Sequence, residues 1–236
     1  MAKDYLTYNE SLNLQLGELG FKRKNMNRFI RKSGDVIQIL SFTHHTNGEQ
    51  NVRYYDIMVH IEIPQITELS QAIGVSYGGF GQQICYCVPG GHYDAYRWRV
   101  ETYDADKTIK TVIDRMVNEI IEVAIPHFFE KYDTIDRIVK ALEDQTLRLG
   151  VIKRQLLPLL YLSQNRKQTA FNFMHEELKL LSTIKEEDDR KLSKGYELPG
   201  FKRKVPWVNI RYTEYLQYVN RVTEFIDSHQ DEKFEE

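Results

Sequence analysis

Two cysteines and six prolines in 236 residues are few, and no run of about 18 apolar residues occurs in the chain. Cys85 and Cys87 stand too close together to staple a secreted domain, which points to a reducing compartment. With no spanning run and no apolar stretch of leader type near the amino terminus, the expectation is a cytoplasmic protein without a membrane segment. Net charge is nearly absent as well: 32 Lys and Arg against 34 Asp and Glu leave −2, so no global field steers the protein to nucleic acid or lipid.

What is present is enough apolar material for a real core. At 42% hydrophobic residues the chain falls between one large domain and two small ones. Charge is uneven: Lys22 to Lys32 holds six basic residues and no acid, whereas Glu186 to Asp189 and the tail from Asp231 to Glu236 are acidic.

Periodicity divides the chain. Leu12, Leu16 and Leu19 at helical spacing predict a helix from about Asp4 or Tyr5 to Glu18, with Gly20 as its left-handed cap. Ser33-Gly34-Asp35 is turn chemistry between two apolar-rich runs and predicts a hairpin over Phe21 to Phe42. Tyr55, Ile57, Val59, Ile61 and Ile63 alternate with polar residues in a half-buried strand ended by Pro64. Six glycines between Gly74 and Gly91 predict mostly loop, with a short strand at Gln83 to Val88, and Tyr96 to Tyr103 alternates again. A stripe from Ile109 through Ile121 to Ala124 predicts a helix over Asp106 to Ile125, begun by Asp104 or Asp106. Beyond Pro126 only helical periodicity remains, in Thr134 to Leu149, Val151 to Leu162, Thr169 to Ile184 and Tyr212 to Ile226, with Asn165 at a turn and an irregular connection over Gly195 to Pro206. The expected fold is α+β: an antiparallel sheet of four to five strands flanked by helices over residues 1–132, then an all-helical region over 133–236.

The order Leu19-Gly20-Phe21, basic residues, Phe29-Ile30-Arg31-Lys32, a turn, and Asp35-Val36-Ile37-Gln38-Ile39 resembles a bacterial family catalogued only as a domain of unknown function. The resemblance covers roughly residues 12–141. It implies an α+β domain of cytoplasmic bacterial proteins, some of them immunity or accessory proteins of toxin systems, and it carries no functional residue with it. Gly20-Phe21-Lys22-Arg23-Lys24 also recurs as Gly200-Phe201-Lys202-Arg203-Lys204, which reads as coincidence because no longer repeat accompanies it.

Four groups of residues carry possible chemistry. Lys22, Arg23, Lys24, Arg28, Arg31 and Lys32, interleaved with Phe21 and Phe29, have the composition of a phosphate-tracking strand, and equally of a basic edge that discourages strand addition. Asp56, His60, Glu62, Arg97, Arg99 and Glu101 would share one sheet face if their strands are neighbours, which would supply acid–base groups or an anion site. Cys85, Cys87, His92, His44 and His45 have the donor types for zinc without the usual spacing, and no metal or cofactor is expected. Gly74 to Gly81 lacks the Lys and the following helix of a phosphate loop. In the carboxyl-terminal half Tyr215, Val219, Val222 and Ile226 should pack inward, leaving Trp207, Tyr212 and Tyr218 for a partner surface.

No paired carboxylates, triad or cofactor loop stands out. The reading is a non-enzymatic binding or accessory protein, of immunity type, with a protein partner. The alternative is a small-molecule enzyme or sensor using the polar sheet face under a glycine-rich lid, and nucleic-acid binding by the basic hairpin comes third.

Overall fold

In the computed structural model, which describes residues 10–92, 94, 97–101, 104, 106–193 and 210–229, Leu12 and Leu16 are wholly buried on α1 (Glu10–Glu18). Gly20, with φ +81°, closes this helix: Gly20 N donates to Gly17 O and Phe21 N to Leu16 O, each at 2.9 Å. That is the Schellman arrangement, and only a residue at ease with positive φ makes it without strain. Residues 1–9, where the helix was expected to begin, lie outside the described residues.

The chain then forms β1 (Lys22–Arg23), β2 (Arg28–Ser33), β3 (Val36–His45) and β4 (Val52–Glu62), each antiparallel to the one before. Ser33 pairs with Val36, so Gly34-Asp35 is a two-residue turn, with φ +56° at Gly34. A positive φ at the first position matches the twist of a hairpin. Along β4 the burial alternates as the sequence predicts, with Tyr55, Ile57, Val59 and Ile61 in the core.

Pro64 does more than end this strand: it opens α2 (Pro64–Ile73), whose Ile66, Ser70 and Ile73 are buried at helical spacing. Proline suits a first helical turn because its missing N–H has no intrahelical partner there. β5 (Phe80–Gln83) and β6 (Trp98–Glu101) both pair with β4, which completes a six-stranded antiparallel sheet. The strand expected at Gln83 to Val88 is corrected: β5 ends at Gln83, and Ile84–Cys87 is a 3-10 turn.

α3 (Asp106–Glu119) supplies the expected stripe with Ile109, Val112, Ile113, Met116 and Val117. The chain does not stop before Pro126 as expected; it continues as a π-helix over Ile120–Phe129, with Glu130 N bonded five residues back to Ile125 O. The wider turn keeps the pyrrolidine ring clear of the preceding carbonyls, which an α-helix would not. It also turns Ile121 outward, 43% exposed, against its expected place in the stripe. Phe128 and Phe129 face inward to meet Phe80, Tyr132 and Phe21, with ring centroids between 5.5 and 6.1 Å apart. α4 (Ile135–Glu143) is capped by Thr134, and Asp35 of the hairpin turn accepts from Ile135 N at 3.2 Å.

By internal contacts the chain divides into a sheet unit, Met1–Pro64 with Gly78–Asp144, and a helical unit, Gln65–Tyr77 with Gln145–Glu236. α4 therefore belongs with the sheet. The helical unit contains α5 (Val151–Ser163), α6 (Lys167–Ser193) and α7 (Ile210–Ser228), and Asn165 makes the expected turn with φ +57°. The connection at 194–209, including Gly195 to Pro206, Trp207 and the second Gly-Phe-Lys-Arg-Lys, lies outside the described residues.

Pro158 sits inside α5 and cannot donate to the carbonyl four residues earlier, which is that of Arg154. Tyr215 of α7 takes the vacant place with its hydroxyl, 3.3 Å from Arg154 O, and Tyr218 donates to the next carbonyl, Gln155 O, at 2.7 Å. Both tyrosines are buried, and burial raises the pKa of each hydroxyl, keeping them donors. Tyr218 is thus a core residue, not the surface residue expected. Tyr218→Phe should lower stability by about 1 kcal/mol in urea unfolding, the usual net worth of one hydrogen bond. Tyr215→Phe should cost less in a Pro158→Ala background than alone, because alanine restores the N–H; equal costs would show that the hydroxyl is not standing in for it.

Candidate functional site

The register of β4 decides whether the polar face can be one site. Tyr54 pairs with Arg99 and His60 with Gly81, so β6 and β5 lie end to end along β4. The six steps along the strand from Tyr54 to His60 span roughly 20 Å at the usual rise. Asp56, His60, Glu62, Arg97, Arg99 and Glu101 do share the neighbourhood of β4, but they form two groups.

In the first group, His60 Nε2 lies 2.8 Å from Gly78 O. The ring is enclosed by glycines: a Cβ on Gly79 would lie 2.4 Å from Nε2, and one on Gly81 would lie 2.8 Å from Nδ1 and 2.4 Å from Val59 O. Burial lowers the His60 pKa and outweighs the opposing pull of the Gly78 carbonyl and Glu62, while Arg28 lowers it further. Glu62 is held by Arg28 at 2.5 Å in a pair whose side chains are each about a third exposed, worth less than about 1 kcal/mol. An imidazole with one nitrogen on a backbone carbonyl and the other against a glycine is poorly placed for proton transfer to a substrate.

The second group is also paired internally. Arg99 bonds Glu101 at 2.5 Å and reaches the Tyr54 hydroxyl, which donates to Glu49 at 2.6 Å. His45 stacks on Tyr54 and lies 3.6 Å from Asp56. Arg97 pairs with Glu119 of α3, whose pKa burial raises against the pull of Arg97. Asp56, Cys85, Asp94, Arg97 and Trp98 line a cavity of about 10 Å³, room for a water molecule at most.

The basic hairpin separates in the same way. Alternation puts Arg31 on the core face, where Nε donates to Gln38 Oε1 and Nη1 to Leu19 O, each at 2.8 Å, with the guanidinium over the Phe21 ring. Desolvation lowers the Arg31 pKa, the mark of an inward-facing cation. Arg28 is paired with Glu62, and Arg23 lies over Phe29. Lys22, Lys24 and Lys32 are exposed, the first two at the two-residue edge strand and the third near the hairpin turn. They do not line a continuous track.

Cys85 is buried, and burial pushes the Cys87 thiol up to about 11, so neither is poised as a thiolate. Among the described residues no three His, Cys, Asp or Glu side chains converge as metal ligands. The glycine segment leads into β5, with no helix to receive a phosphate.

The helical unit holds a feature that periodicity did not single out. Val151, Ile152, Leu181, Arg211, Glu214 and Tyr215 line a groove of about 280 Å³. Val151 and Ile152 are 56% and 41% exposed, and Leu180 and Ile184, flanking Leu181 on α6, are 49% and 40% exposed. The signal available in the sequence was an excess of apolar residues at the start of α5 and on α6 beyond what one buried stripe needs. Tyr212, expected at a surface, is half-buried.

Comparison with models of known families, with curated proteins and with solved structures finds no match.

The glycine enclosure of His60 generates a stability prediction. Gly79→Ala and Gly81→Ala should each cost more than about 2 kcal/mol, since the new methyl meets backbone and ring atoms, and at Gly79 φ is +76° as well. Gly17→Ala in α1, with nothing within 4 Å, should instead stabilise by about 0.5–1 kcal/mol. Urea unfolding of the three variants distinguishes close approach from mere loop flexibility.

Proposed function

We propose that the protein is a non-enzymatic binding protein that receives an amphipathic helix of a protein partner in the groove of its helical unit. The observation that carries this is a groove of about 280 Å³ lined from three helices, with exposed Val151 and Ile152 of α5 in its lining and exposed Leu180 and Ile184 near the lining residue Leu181 on α6. Arg211, exposed at the rim and without an ion pair among the described residues, would take an acidic side chain of the incoming helix. Elsewhere the charged groups with catalytic potential are already bonded to one another or to the backbone, which favours binding over chemistry. A cytoplasmic address and an immunity-type role beside a toxin belong to the same proposal, supported by two free thiols and by the resemblance of the hairpin signature.

The test begins with the full chain as bait in its native host and continues with the purified stoichiometric partner. Ile152→Asp with Leu180→Asp should weaken the complex by at least about tenfold, as loss of a buried apolar anchor does, while Leu14→Asp, also exposed but in the sheet unit, should leave it unchanged. Hydrogen exchange should show protection on the first turns of α5 and on α6 around Leu180. Undiminished binding by the double variant, or a footprint on Lys22 to Lys32, would overturn the proposal.

A further inference from the structure

The chain leaves the sheet unit after Pro64 and returns to it at Gly78, and the first carbonyl on its return is the one bonded by His60. The glycines that follow are spaced so that the backbone can close over the imidazole, Gly79 above Nε2 and Gly81 beside Nδ1. In the neutral tautomer with the proton on Nε2, that proton is donated to Gly78 O and Nδ1 needs none. In the imidazolium, Nδ1 must also donate, and among the described residues it has no acceptor.

We propose that His60 is a pH-operated fastening for the glycine strand: neutral, it holds the segment from Gly78 to Gln83 on β4, and protonated, it lets that segment go.

The groups around the ring fit this reading. Ile39 of β3 pairs with His60 and is fully buried, offering the charge nothing. Gly79, just before β5, and Gly81 within it present no side chain to the ring. Of the charged side chains near it, Arg28 of β2 opposes protonation and Glu62 of β4 favours it, but Glu62 is engaged by Arg28. Burial therefore dominates and lowers the pKa in the fastened state. A depressed histidine pKa makes the open state the better proton acceptor, so fastening is at full strength above the free-histidine pKa of about 6.5 and weakens as pH falls through it toward the lower value of the closed state.

The experiment is hydrogen exchange of the full-length protein at pH 7.5 and 5.5, corrected for intrinsic rates, read on peptides covering residues 78–84. In the natural chain protection should fall several-fold at the lower pH. In His60→Gln, whose side-chain amide can still donate to Gly78 O and does not titrate, protection should be the same at both. An equal fall in both proteins, or no fall in the natural chain, would overturn the proposal. Should the variant not fold, an NMR titration of the natural protein decides: the His60 ring must titrate below free histidine and in step with the loss of protection, and separate midpoints would refute the fastening.

Discussion

A single buried amide holds the sheet unit in register. Gln38 has no exposed surface, and its burial is tolerable only because both ends are satisfied: Oε1 accepts from Arg31 and Nε2 donates to Phe129 O at 3.2 Å. Arg31 in turn reaches Leu19 O at the end of α1. Three elements distant in sequence, the first helix, the β2–β3 hairpin and the end of the π-helix, are thereby tied to one point. A slip of one residue in the hairpin would send Gln38 to the other face and leave three polar groups stranded, so the register is specified by polar satisfaction as well as by apolar alternation.

Among the described residues Pro126 and Pro158 lie beyond the first turn of a helix, and the chain accommodates them differently. At Pro126 the helix itself widens, and the aromatic pair Phe128 and Phe129 turns into the core as a result. At Pro158 the helix stays narrow and Tyr215 of the neighbouring helix supplies the one missing donor, with Tyr218 adding a bond to the next carbonyl. The second solution makes α7 part of the hydrogen bonding of α5, and it explains why tyrosines rather than phenylalanines occupy the buried stripe of α7.

The fold was legible where a period was long and clean. The alternation in β4 and the stripe from Ile109 to Val117 placed Ile57, Val59, Ile113 and Val117 in the core on pattern alone. Pairing order was not legible, because nothing in Phe80–Gln83 or Trp98–Glu101 says that both share one edge of β4. Nor was the orientation of Arg31, whose neighbours Lys32 and Arg28 made the run look uniformly solvated, although strand alternation had already assigned it to the face of Gln38. Gly79 and Gly81, two apart at and just before β5, do carry a readable signal, since a glycine in or beside a strand marks close approach of another backbone or ring. α2 is hidden at Pro64, which ends a strand as readily as it opens a helix; the legible signal is the helical spacing of Ile66, Ser70 and Ile73 behind it.

The polar face sets its charged groups against one another rather than toward an open volume. His60, Glu62, Arg97, Arg99 and Glu101 have the right chemistry, but catalysis needs groups held toward an empty volume where a substrate can sit. Here His60 is closed over by glycines, Glu62 faces Arg28, Arg97 faces Glu119 and Arg99 faces Glu101. Each cation has an anion nearby and the adjoining cavity admits a water molecule at most. The volume is instead in the helical unit, where Val151, Ile152, Leu181 and Tyr215 line the space together with Arg154, Gln155, Arg211 and Glu214. The apolar atoms of that lining gain free energy when water is excluded from them, and the recognition proposed for this groove would draw on that gain.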